Sequence, residues 1–501
     1  MTRFFKQLIS SSVTNSPALL GLLVFHAVWI AGVATVFTGS IGLDVAEGVI
    51  GGPEWQLSYI RHPPFSTWLI GLLVKFASSQ IWAIFLLGEF LVLSSLSLLF
   101  WFLAKNSKHQ VAWPALAAYL VSPFATYFAL QVNHNLGVMP FRVAVMITAW
   151  YALERARISD WVLLGASVGF GLWAKYQILL IVLTIIVLSI FRSNWRKRWR
   201  TSGPWIAIFI SSLVISPHID DISQKGFTTL FFALKHDTPN AFTIALRFGE
   251  FLIDVVLFNL GFAIALGFIL GYRDLIALIK SWISKVNNSP FDFYLLITAI
   301  GPVAIVLAAT FFGVRPRIHW FVPMSVSFIS IWARITLLST KSFDFKFSLK
   351  PYLIMLLFVS GLNIANRYAD ATFNPRPLYA EMDGKALSEL IIAKWKKTSD
   401  QPIPYLISFG SQHGRQAAGS VAFRLPYLVK VLEDNNLMNS PWIDIRDLAK
   451  KGGVIIAPKG LPKEAIIAGR KPELVETINR PMLRGAQYPY TFEIGVLPPL
   501  E

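Results

Sequence analysis

The sequence predicts a mainly α, polytopic membrane protein that ends in a small α/β domain on the outer face of the membrane. Of its 501 residues, 54% are hydrophobic, and the mean hydropathy is +0.55. Apolar windows of about 17–25 residues, long enough to cross a bilayer, recur along the chain. The composition changes after residue 367, which predicts the second domain. A water-soluble all-α protein would need polar helix faces that these windows lack.

Most of the chain is predicted to lie in helices that cross or enter the membrane. The apolar segments are 18–38, 80–104, 112–130, 135–152, 161–174, 177–191, 204–217, 250–270, 291–312, 319–338 and 351–366. The segment from Phe65 to Phe76 is shorter than a span, so we expect it to be interfacial. The segments 161–174 and 177–191 are also short, which predicts tilting, local thinning of the bilayer or a broken pair.

The basic residues indicate a membrane surface rather than nucleic acid as the partner. The net charge is +17, from 45 Lys and Arg against 28 Asp and Glu. Such an excess is typical of nucleic-acid binding, but here the basic residues lie between the apolar runs. Anionic lipid and the positive-inside rule explain that distribution. Because the chain has no cysteine, disulfides, thiolate chemistry and cysteine metal sites are excluded.

The distribution of cations also predicts the orientation. We place the N-terminus inside, with Arg3 and Lys6, and we expect the first apolar run to be a retained helix because it has no clear cleavage site. The inner loops, all rich in cations, are then 105–108, 155–157, 192–200, 273–285 and 341–350. The outer loops, poorer in cations, are 39–64, 131–134, the turn at Lys175, 218–249 and 313–318. This pattern predicts a multi-pass protein of the cytoplasmic membrane whose outer loops face away from the cytoplasm.

We expect residues 1–367 to form the membrane domain and residues 368–501 an extracytoplasmic domain. In the second domain, Lys385 to Trp395 has the pattern of an amphipathic helix. Pro404 to Ser408 and Gly453 to Ala457 are apolar runs between turn residues, which predicts two short buried strands.

Two acidic residues follow the first apolar run. If their segment is helical, the spacing of Asp44 and Glu47 puts both carboxylates on one face. A carboxylate within reach of a hydroxyl can act as a general base. The alternative is a solvated loop with ordinary acids. Because ionisable groups at a bilayer boundary are often functional, we favour a catalytic role.

Two cationic segments are candidates for binding a phosphate. Arg61 and His62 precede two prolines, which fix the backbone and prevent a helix from continuing through them. Arginine offers bidentate hydrogen bonds to phosphate, although an interfacial arginine can also extend toward the lipid surface. Lys175 has no acidic neighbour in sequence, so it either extends to the interface or binds an anion such as a lipid phosphate.

Three further polar clusters lie in predicted outer loops. Asn133, His134 and Asn135 occupy a tight turn, where they could bind sugar hydroxyls or serve as turn and cap residues. His218 opens the long loop 218–249 together with two aspartates, but residues so close rarely supply a full metal site. Arg315 and Arg317 violate the positive-inside pattern, which favours phosphate binding over a simple interfacial anchor.

Taken together, these motifs resemble a known superfamily. They are Asp44, then His62 and two prolines, the Gly-x-Gly-Leu-x-x-Lys-Tyr motif that ends at Tyr176, and an outer Pro-His pair at His218. The chain resembles the GT-C superfamily of polytopic glycosyltransferases over residues 18–340. Within it, the resemblance is to bacterial proteins like the dolichyl-phosphate-mannose–protein mannosyltransferases. These include the lipid A aminoarabinose transferase and the rhizobial lipopolysaccharide galacturonosyltransferases.

The resemblance implies a mechanism and a set of site residues. Such enzymes pass a sugar from a polyprenyl-phosphate carrier to a lipid, glycan or protein acceptor on the outer face. The implied catalytic residues are Asp44 and Glu47; the implied donor-phosphate ligands are Arg61, His62, Lys175, Arg315 and Arg317; the implied sugar or acceptor ligands are Asn133, His134, Asn135, Tyr176 and His218. A singly charged lipid phosphate does not require a metal, so we expect no obligatory cofactor, although some members of the superfamily use a divalent cation.

One departure from the family pattern leaves alternatives open. The usual first-loop pattern is Asp-Glu, and here Val45 follows Asp44, so Glu47 would have to supply the second acid. A flippase for a lipid-linked sugar would also need cations for the headgroup, but it would need no base. A catalytically inactive binding protein is the third possibility.

Overall fold

The computed structural model describes residues 17–77, 80–107, 112–234, 239–339, 345–373, 381–458, 460–462, 464–479, 482 and 491–500. Long apolar helices form one bundle, and a five-stranded sheet with its helices docks on the first loop of that bundle. The predicted polytopic fold with a C-terminal α/β domain is thus confirmed. Arg3 and Lys6, which we used for the orientation, lie outside the described residues.

In the described part of the chain, eight helices are long and apolar enough to cross a membrane. They are Pro17–Val36, Ile81–Lys105, His134–Arg155, Gly203–Gln224, Ala241–Leu270, Pro290–Ala309, Ile318–Thr336 and Phe345–Phe373. Two bent pairs raise the number of candidate spans to ten. One pair joins Ile178–Phe191 to the segment 193–200 at an angle of 102°. Two apolar helices, Phe65–Ala77 and Ile158–Ala174, are shorter.

The second bent pair corrects one predicted segment. The run 112–130 is not one helix but two parts, Trp113–Leu120 and a segment from Pro123 to Leu130, bent by 61°. Ser122 between them is extended, with φ −72° and ψ 158°. A residue before proline avoids the helical region, and proline cannot donate the next helical hydrogen bond. The apolar composition hid this break.

The predicted long outer loop 218–249 is also wrong. The helix Gly203–Gln224 continues through Pro217 and His218, a short helix Thr228–Leu234 follows, and the next span already begins at Ala241. An internal proline is tolerated in membrane helices because neighbouring groups satisfy the freed backbone. The predicted inner loop 273–285 likewise forms a helix, Tyr272–Lys285, which buries Leu275 and Trp282.

The first outer loop is folded tightly on the membrane domain. It contains the helix Leu43–Gly51 and one turn of 3-10 helix, Gly52–Glu54, before the helix Phe65–Ala77 begins. A Cβ atom on Gly52 would lie 2.5 Å from the Cα atom of Gly71, so the two backbones touch and only glycine fits there. This contact fixes the helix that carries Asp44.

The C-terminal domain is built on one mixed sheet. Its strands are β1 (Tyr405–Ser408), β2 (Lys430–Leu432), β3 (Gly453–Ala457), β4 (Glu473–Asn479) and β5 (Thr491–Leu497). Their order is β2-β1-β3-β5-β4, in which β1 pairs with β2 and β3 in parallel and β5 pairs with β3 and β4 in antiparallel fashion. The helices of this domain are Gly384–Trp395, Ser411–Arg424 and Ile445–Lys451.

The helix Ser411–Arg424 joins this domain to the first outer loop. A Cβ atom on Gly419 would lie 2.6 Å from the Cβ atom of Ala46, so the helix packs directly on Leu43–Gly51. Ser40 Oγ donates a hydrogen bond of 2.6 Å to Ser420 Oγ. This contact brings C-terminal side chains next to the carboxylates of the first loop.

Candidate active site

Two carboxylates and one imidazole meet on the first outer loop. Asp44 and Glu47 lie one turn apart on the helix Leu43–Gly51. One side-chain atom of each, and one of His62, all lie within 4.8 Å of one another. Burial, with a further contribution from the charge of Glu47, raises the pKa of Asp44 to about 6, while Lys175 opposes the rise. Asp44 is therefore ionised at neutral pH and more basic than an ordinary aspartate, as a general base needs to be.

Lys175 faces these carboxylates from a break between two helices. It follows the helix Ile158–Ala174 in an extended conformation, with φ −167° and ψ 136°. Its ammonium donates a hydrogen bond to Asn135 Oδ1. Burial lowers the pKa of Lys175 to about 8, and the charge of Asp44 opposes that shift. Lys175 thus carries a positive charge at neutral pH beside a carboxylate that it influences directly.

The three residues of the turn Asn133–Asn135 make different contacts. Asn133 Oδ1 accepts the backbone N–H of Asn135 at 2.8 Å and caps the helix His134–Arg155. Its side chain therefore acts as the cap residue that we weighed against sugar binding. Asn135 holds Lys175, and His134 lies against His62 with ring centroids 4.1 Å apart.

His62 is not a cation in this environment. Burial, followed by the neighbouring His134 and Lys175, lowers its pKa well below the ordinary value. A neutral imidazole can still donate one hydrogen bond to a phosphate or sugar oxygen. This arrangement favours a hydrogen-bonding role for His62.

Arg61 is engaged by carboxylates. Its Nη1 atom lies 3.0 Å from Glu433 Oε2 and 3.4 Å from Glu47 Oε1. Arg415 approaches Glu47 from the other side, with Nε 3.2 Å from Oε1, and its Nη1 atom lies 2.6 Å from Asp434 Oδ2. Burial raises the pKa of Glu433 to about 7, and Arg61 opposes the rise. Arg61 thus pairs with both Glu47 and Glu433, and its role as a phosphate ligand stays a prediction.

Tyr176 and His218 form a separate hydrogen-bonded pair. His218 Nδ1 lies 2.7 Å from the carbonyl oxygen of Leu57, so Nδ1 carries the proton and donates. His218 Nε2 then accepts from the Tyr176 hydroxyl, also at 2.7 Å. The pair ties the helix Gly203–Gln224 to the first outer loop next to Lys175.

The second cationic cluster does not join this centre directly. Arg315 and Arg317 are exposed, and no described hydrogen bond or ion pair links either of them to the site. The residues that follow them do reach it. Lys175 Nζ lies 5.9 Å from the ring centroid of Trp320, and the charge of His319 contributes to the lowered pKa of His62. The roles of Arg315 and Arg317 as phosphate ligands therefore stay predictions.

Asp44, Glu47 and His62 have the chemistry of metal ligands, but their surroundings do not favour a divalent cation. Glu47 is already shared between Arg61 and Arg415, which a metal ion would have to displace. Lys175 adds a further positive charge beside Asp44. These three side chains therefore fit a divalent metal ion poorly.

Comparison with solved structures identifies the architecture. ArnT from Cupriavidus metallidurans bound to undecaprenyl phosphate matches 97% of this chain and 100% of its own, with a TM-score of 0.63 and 12% identity. Its apo state matches 96% and 99%, with a TM-score of 0.60 and 10% identity. The chain has the GT-C fold. The match extends through the C-terminal domain, which the motifs alone did not cover.

Sequence comparison supports the same assignment over part of this GT-C chain. Residues 61–219 match the family described as dolichyl-phosphate-mannose-protein mannosyltransferase. Two lipopolysaccharide core galacturonosyltransferases of Rhizobium johnstonii also match. RgtA is 25% identical over 36% of this chain and 37% of its own length; RgtB is 23% identical over 40% and 41%. The chain thus aligns with well under half of each relative's length, and the resemblance inferred from the motifs is confirmed.

Sequence reasoning missed the residues that the C-terminal domain contributes. Arg415, Glu433 and Asp434 surround Glu47 and Arg61 in the structure. They lie far along the chain in polar segments without a motif. The only signal was the predicted presence of a domain on the same face, which does not identify particular side chains.

Proposed function

We propose that this GT-C protein is a glycosyltransferase that moves a sugar from a polyprenyl-phosphate donor to a lipid, glycan or protein acceptor. The observation that carries the proposal is the coupling of Asp44 and Lys175, because the charge of each shifts the pKa of the other. A candidate base and a candidate phosphate-binding cation thus lie close enough to interact electrostatically. The ligand of the ArnT structure and the names of the two Rhizobium relatives support this donor and favour the lipopolysaccharide core as acceptor.

The proposed reaction is a single displacement. An acceptor hydroxyl attacks the anomeric carbon and gives its proton to the Asp44 carboxylate. The bond from that carbon to the phosphate oxygen breaks, and the electron pair leaves with the lipid phosphate. The ammonium of Lys175 stabilises the charge that develops there, and Asn135 holds the ammonium in place. Attack opposite the leaving group inverts the anomeric carbon.

The departure at Val45 fits this proposal. Val45 is buried with 3% of its surface exposed, so it faces the core rather than the site. Glu47, one turn after Asp44, brings a second carboxylate next to His62 instead. Arg61 and Arg415 form ion pairs with Glu47. We propose Glu47 as the second acid, which orients the acceptor beside Asp44.

We further propose that the site and the C-terminal domain face the periplasm. The five predicted inner segments are rich in cations and the predicted outer segments are poorer in them, which supports this orientation. A flippase or an inactive binding protein remains the competing assignment. Neither would need a carboxylate of raised pKa next to the headgroup cation.

The deciding experiment measures sugar transfer from a panel of polyprenyl-phosphate sugars to lipopolysaccharide by the full chain in lipid nanodiscs. We expect transfer by the wild type and a loss of about 10²–10⁴-fold in Asp44→Asn, the range for removal of a general base. Asp400→Asn, an exposed acid of the C-terminal domain, is the matched control and should transfer normally. A chelator should change nothing.

Other outcomes would redirect the assignment. Equal transfer by the wild type and Asp44→Asn would remove Asp44 as the base. Binding of undecaprenyl phosphate without transfer from any donor would favour the flippase or the binding protein.

A further inference from the structure

A cavity of about 220 Å³ lies between the first outer loop and the C-terminal domain. One wall is the loop segment 58–62, and the opposite wall includes Met438, Asn439 and Trp442 of the C-terminal domain. The volume is below the roughly 300–1,000 Å³ of sites for drug-sized ligands. It suits a group of the size of one sugar ring.

The position of the cavity separates it from the proposed phosphate site. His62 and His134 line it, whereas Asp44 and Lys175 do not. Because Asp44 lies next to His62, a group in the cavity would be close to the base without occupying the place of the lipid phosphate. An acceptor needs such a position, because its hydroxyl must reach the base while the donor's phosphate lies elsewhere.

The charges of the cavity also disfavour a phosphate. Its cations are Arg61 and Lys225. Arg61 is paired with Glu47 and Glu433, and Lys225 with Asp221 at 2.8 Å. The two carboxylates of the lining, Glu47 and Glu433, match its two cations in number, so the cavity offers no excess positive charge to an anion.

The remaining lining fits a carbohydrate. Trp442 and Tyr59 present aromatic surface, and Asn439 and Thr228 present polar groups. Sugar rings combine apolar C–H faces with hydroxyl groups, and such a mixture of aromatic and polar lining matches both.

Two of the lining residues carry buried polar atoms that lack a hydrogen-bond partner in the described structure. They are His134 Nδ1 and Trp442 Nε1. Buried polar groups are normally paired, because an unpaired one costs free energy.

We propose that this cavity binds a sugar ring of the acceptor and that the segment 438–442 determines which acceptor is used. Calling the bound sugar an acceptor rests on the proposed function. Whether the cavity binds a sugar can be tested independently of that function. The ring belongs either to the lipopolysaccharide core or to the sugar backbone of lipid A, since both offer the same chemistry.

The test measures binding of delipidated core oligosaccharide from Rhizobium lipopolysaccharide to the full chain in nanodiscs, with lipid A in a parallel arm. Asn439→Trp fills the cavity. Leu437→Trp adds a side chain of the same bulk at an exposed position just before the segment 438–442, and Leu437 does not line the cavity. We expect Asn439→Trp to weaken sugar binding by about tenfold or more, Leu437→Trp to bind normally, and both to bind undecaprenyl phosphate like the wild type. Trp442→Phe, which keeps a ring but removes the N–H, should weaken binding by a smaller factor.

The arms distinguish the sugar sources, and the controls distinguish the two proposals. Sensitivity to Asn439→Trp in the core arm or in the lipid A arm identifies the ring that is bound. Failure of the wild type to bind either probe, or binding that Asn439→Trp leaves unchanged, would overturn the inference. Loss of undecaprenyl phosphate binding in Asn439→Trp would also overturn it, because the cavity would then belong to the donor. Sugar binding that is lost in Asn439→Trp, with no transfer from any donor, would support the inference while refuting the proposed enzyme.

Discussion

Arg415 of the C-terminal domain donates a hydrogen bond of 3.2 Å from Nε to Glu47 Oε1 of the first outer loop, across 368 positions of sequence. The same guanidinium donates to Asp434 at 2.6 Å. Glu433, beside Asp434, accepts from Arg61 at 3.0 Å. Residues of both domains therefore form one ion-pair network around a proposed catalytic carboxylate.

We expect Arg415→Gln to reduce transfer by at least tenfold and to loosen the C-terminal domain. The change leaves the partly buried carboxylate of Glu47 and the buried carboxylate of Glu433 with Arg61 as their remaining described cation. Breaking a buried ion pair costs about 3–5 kcal/mol because a charge is left uncompensated. Transfer assays and limited proteolysis of the C-terminal domain in nanodiscs measure the two effects.

Lys451→Gln is the matched control for that variant. It breaks an exposed pair, in which Lys451 Nζ lies 2.9 Å from Asp447 Oδ1. Exposed pairs contribute little, so activity and proteolysis should match the wild type. Wild-type behaviour of Arg415→Gln as well would mean that the network does not support the site.

The fold was predictable because its signals are local. Apolar windows gave the bundle, and the amphipathic pattern gave the helix Gly384–Trp395. Apolar runs between turn residues gave β1 and β3. In each case a short window contains all the information on burial.

The elements that we missed lack such local signals. Six of the seven residues of β4 are exposed, so no alternation of apolar and polar residues marks the strand. The helix Ser411–Arg424 buries mostly small residues, and its larger buried apolar residues, Val421 and Phe423, both lie near its end. In the candidate site, the approach of Lys175 to Asp44 followed from the resemblance, whereas the contact of Arg415 with Glu47 depends on domain docking. No sequence window spans that contact.

Lys175→Met should weaken the binding of undecaprenyl phosphate by about 10–100-fold, since a charge-assisted hydrogen bond contributes about 1.5–3 kcal/mol. Lys175 is the desolvated cation next to the proposed base, and methionine keeps its length without its charge. Ligand-induced thermal stabilisation in nanodiscs measures the affinity. Lys385→Met, at an exposed position, should bind like the wild type; unchanged binding by Lys175→Met would place the phosphate elsewhere.

The pH dependence of transfer should be bell-shaped. Asp44, with a pKa of about 6, must lose its proton to act as a base, so kcat/KM rises as the pH passes through that value. Lys175, with a pKa of about 8, must keep its proton to bind phosphate, so kcat/KM falls as the pH passes through that value. Initial rates at low donor concentration, from about pH 5 to 9, give the profile.

Lys175→Arg identifies the alkaline limb of that profile. A guanidinium stays protonated throughout this range, so the fall near pH 8 should disappear even if the maximal rate is lower. The acid limb belongs to Asp44 and should remain. An alkaline limb that persists in Lys175→Arg would have to come from another group.

Gly419→Ala should separate the C-terminal domain from the first outer loop and lower transfer. Its new Cβ atom would lie 2.6 Å from the Cβ atom of Ala46, a contact that forces the helices apart and costs about 1–3 kcal/mol, as overpacking does. Arg415, on the same helix, would then lose its reach to Glu47. Gly361→Ala, where nothing lies within 4 Å of the new atom, is the matched control.

The double variant Gly419→Ala with Ala46→Gly tests this cause directly, because it removes the 2.6 Å contact with the Ala46 Cβ atom. The contacts of the new methyl group with the Cα atom at 2.8 Å and the carbonyl oxygen at 2.9 Å stay, so the relief is incomplete. Transfer and protection from proteolysis should recover in part relative to Gly419→Ala alone, a coupling that a double-mutant cycle measures. Additive losses in the double variant would mean that the glycine acts through its own helix. Recovery would show that the distance between these two helices controls the position of Glu47, and through it the proposed chemistry at Asp44.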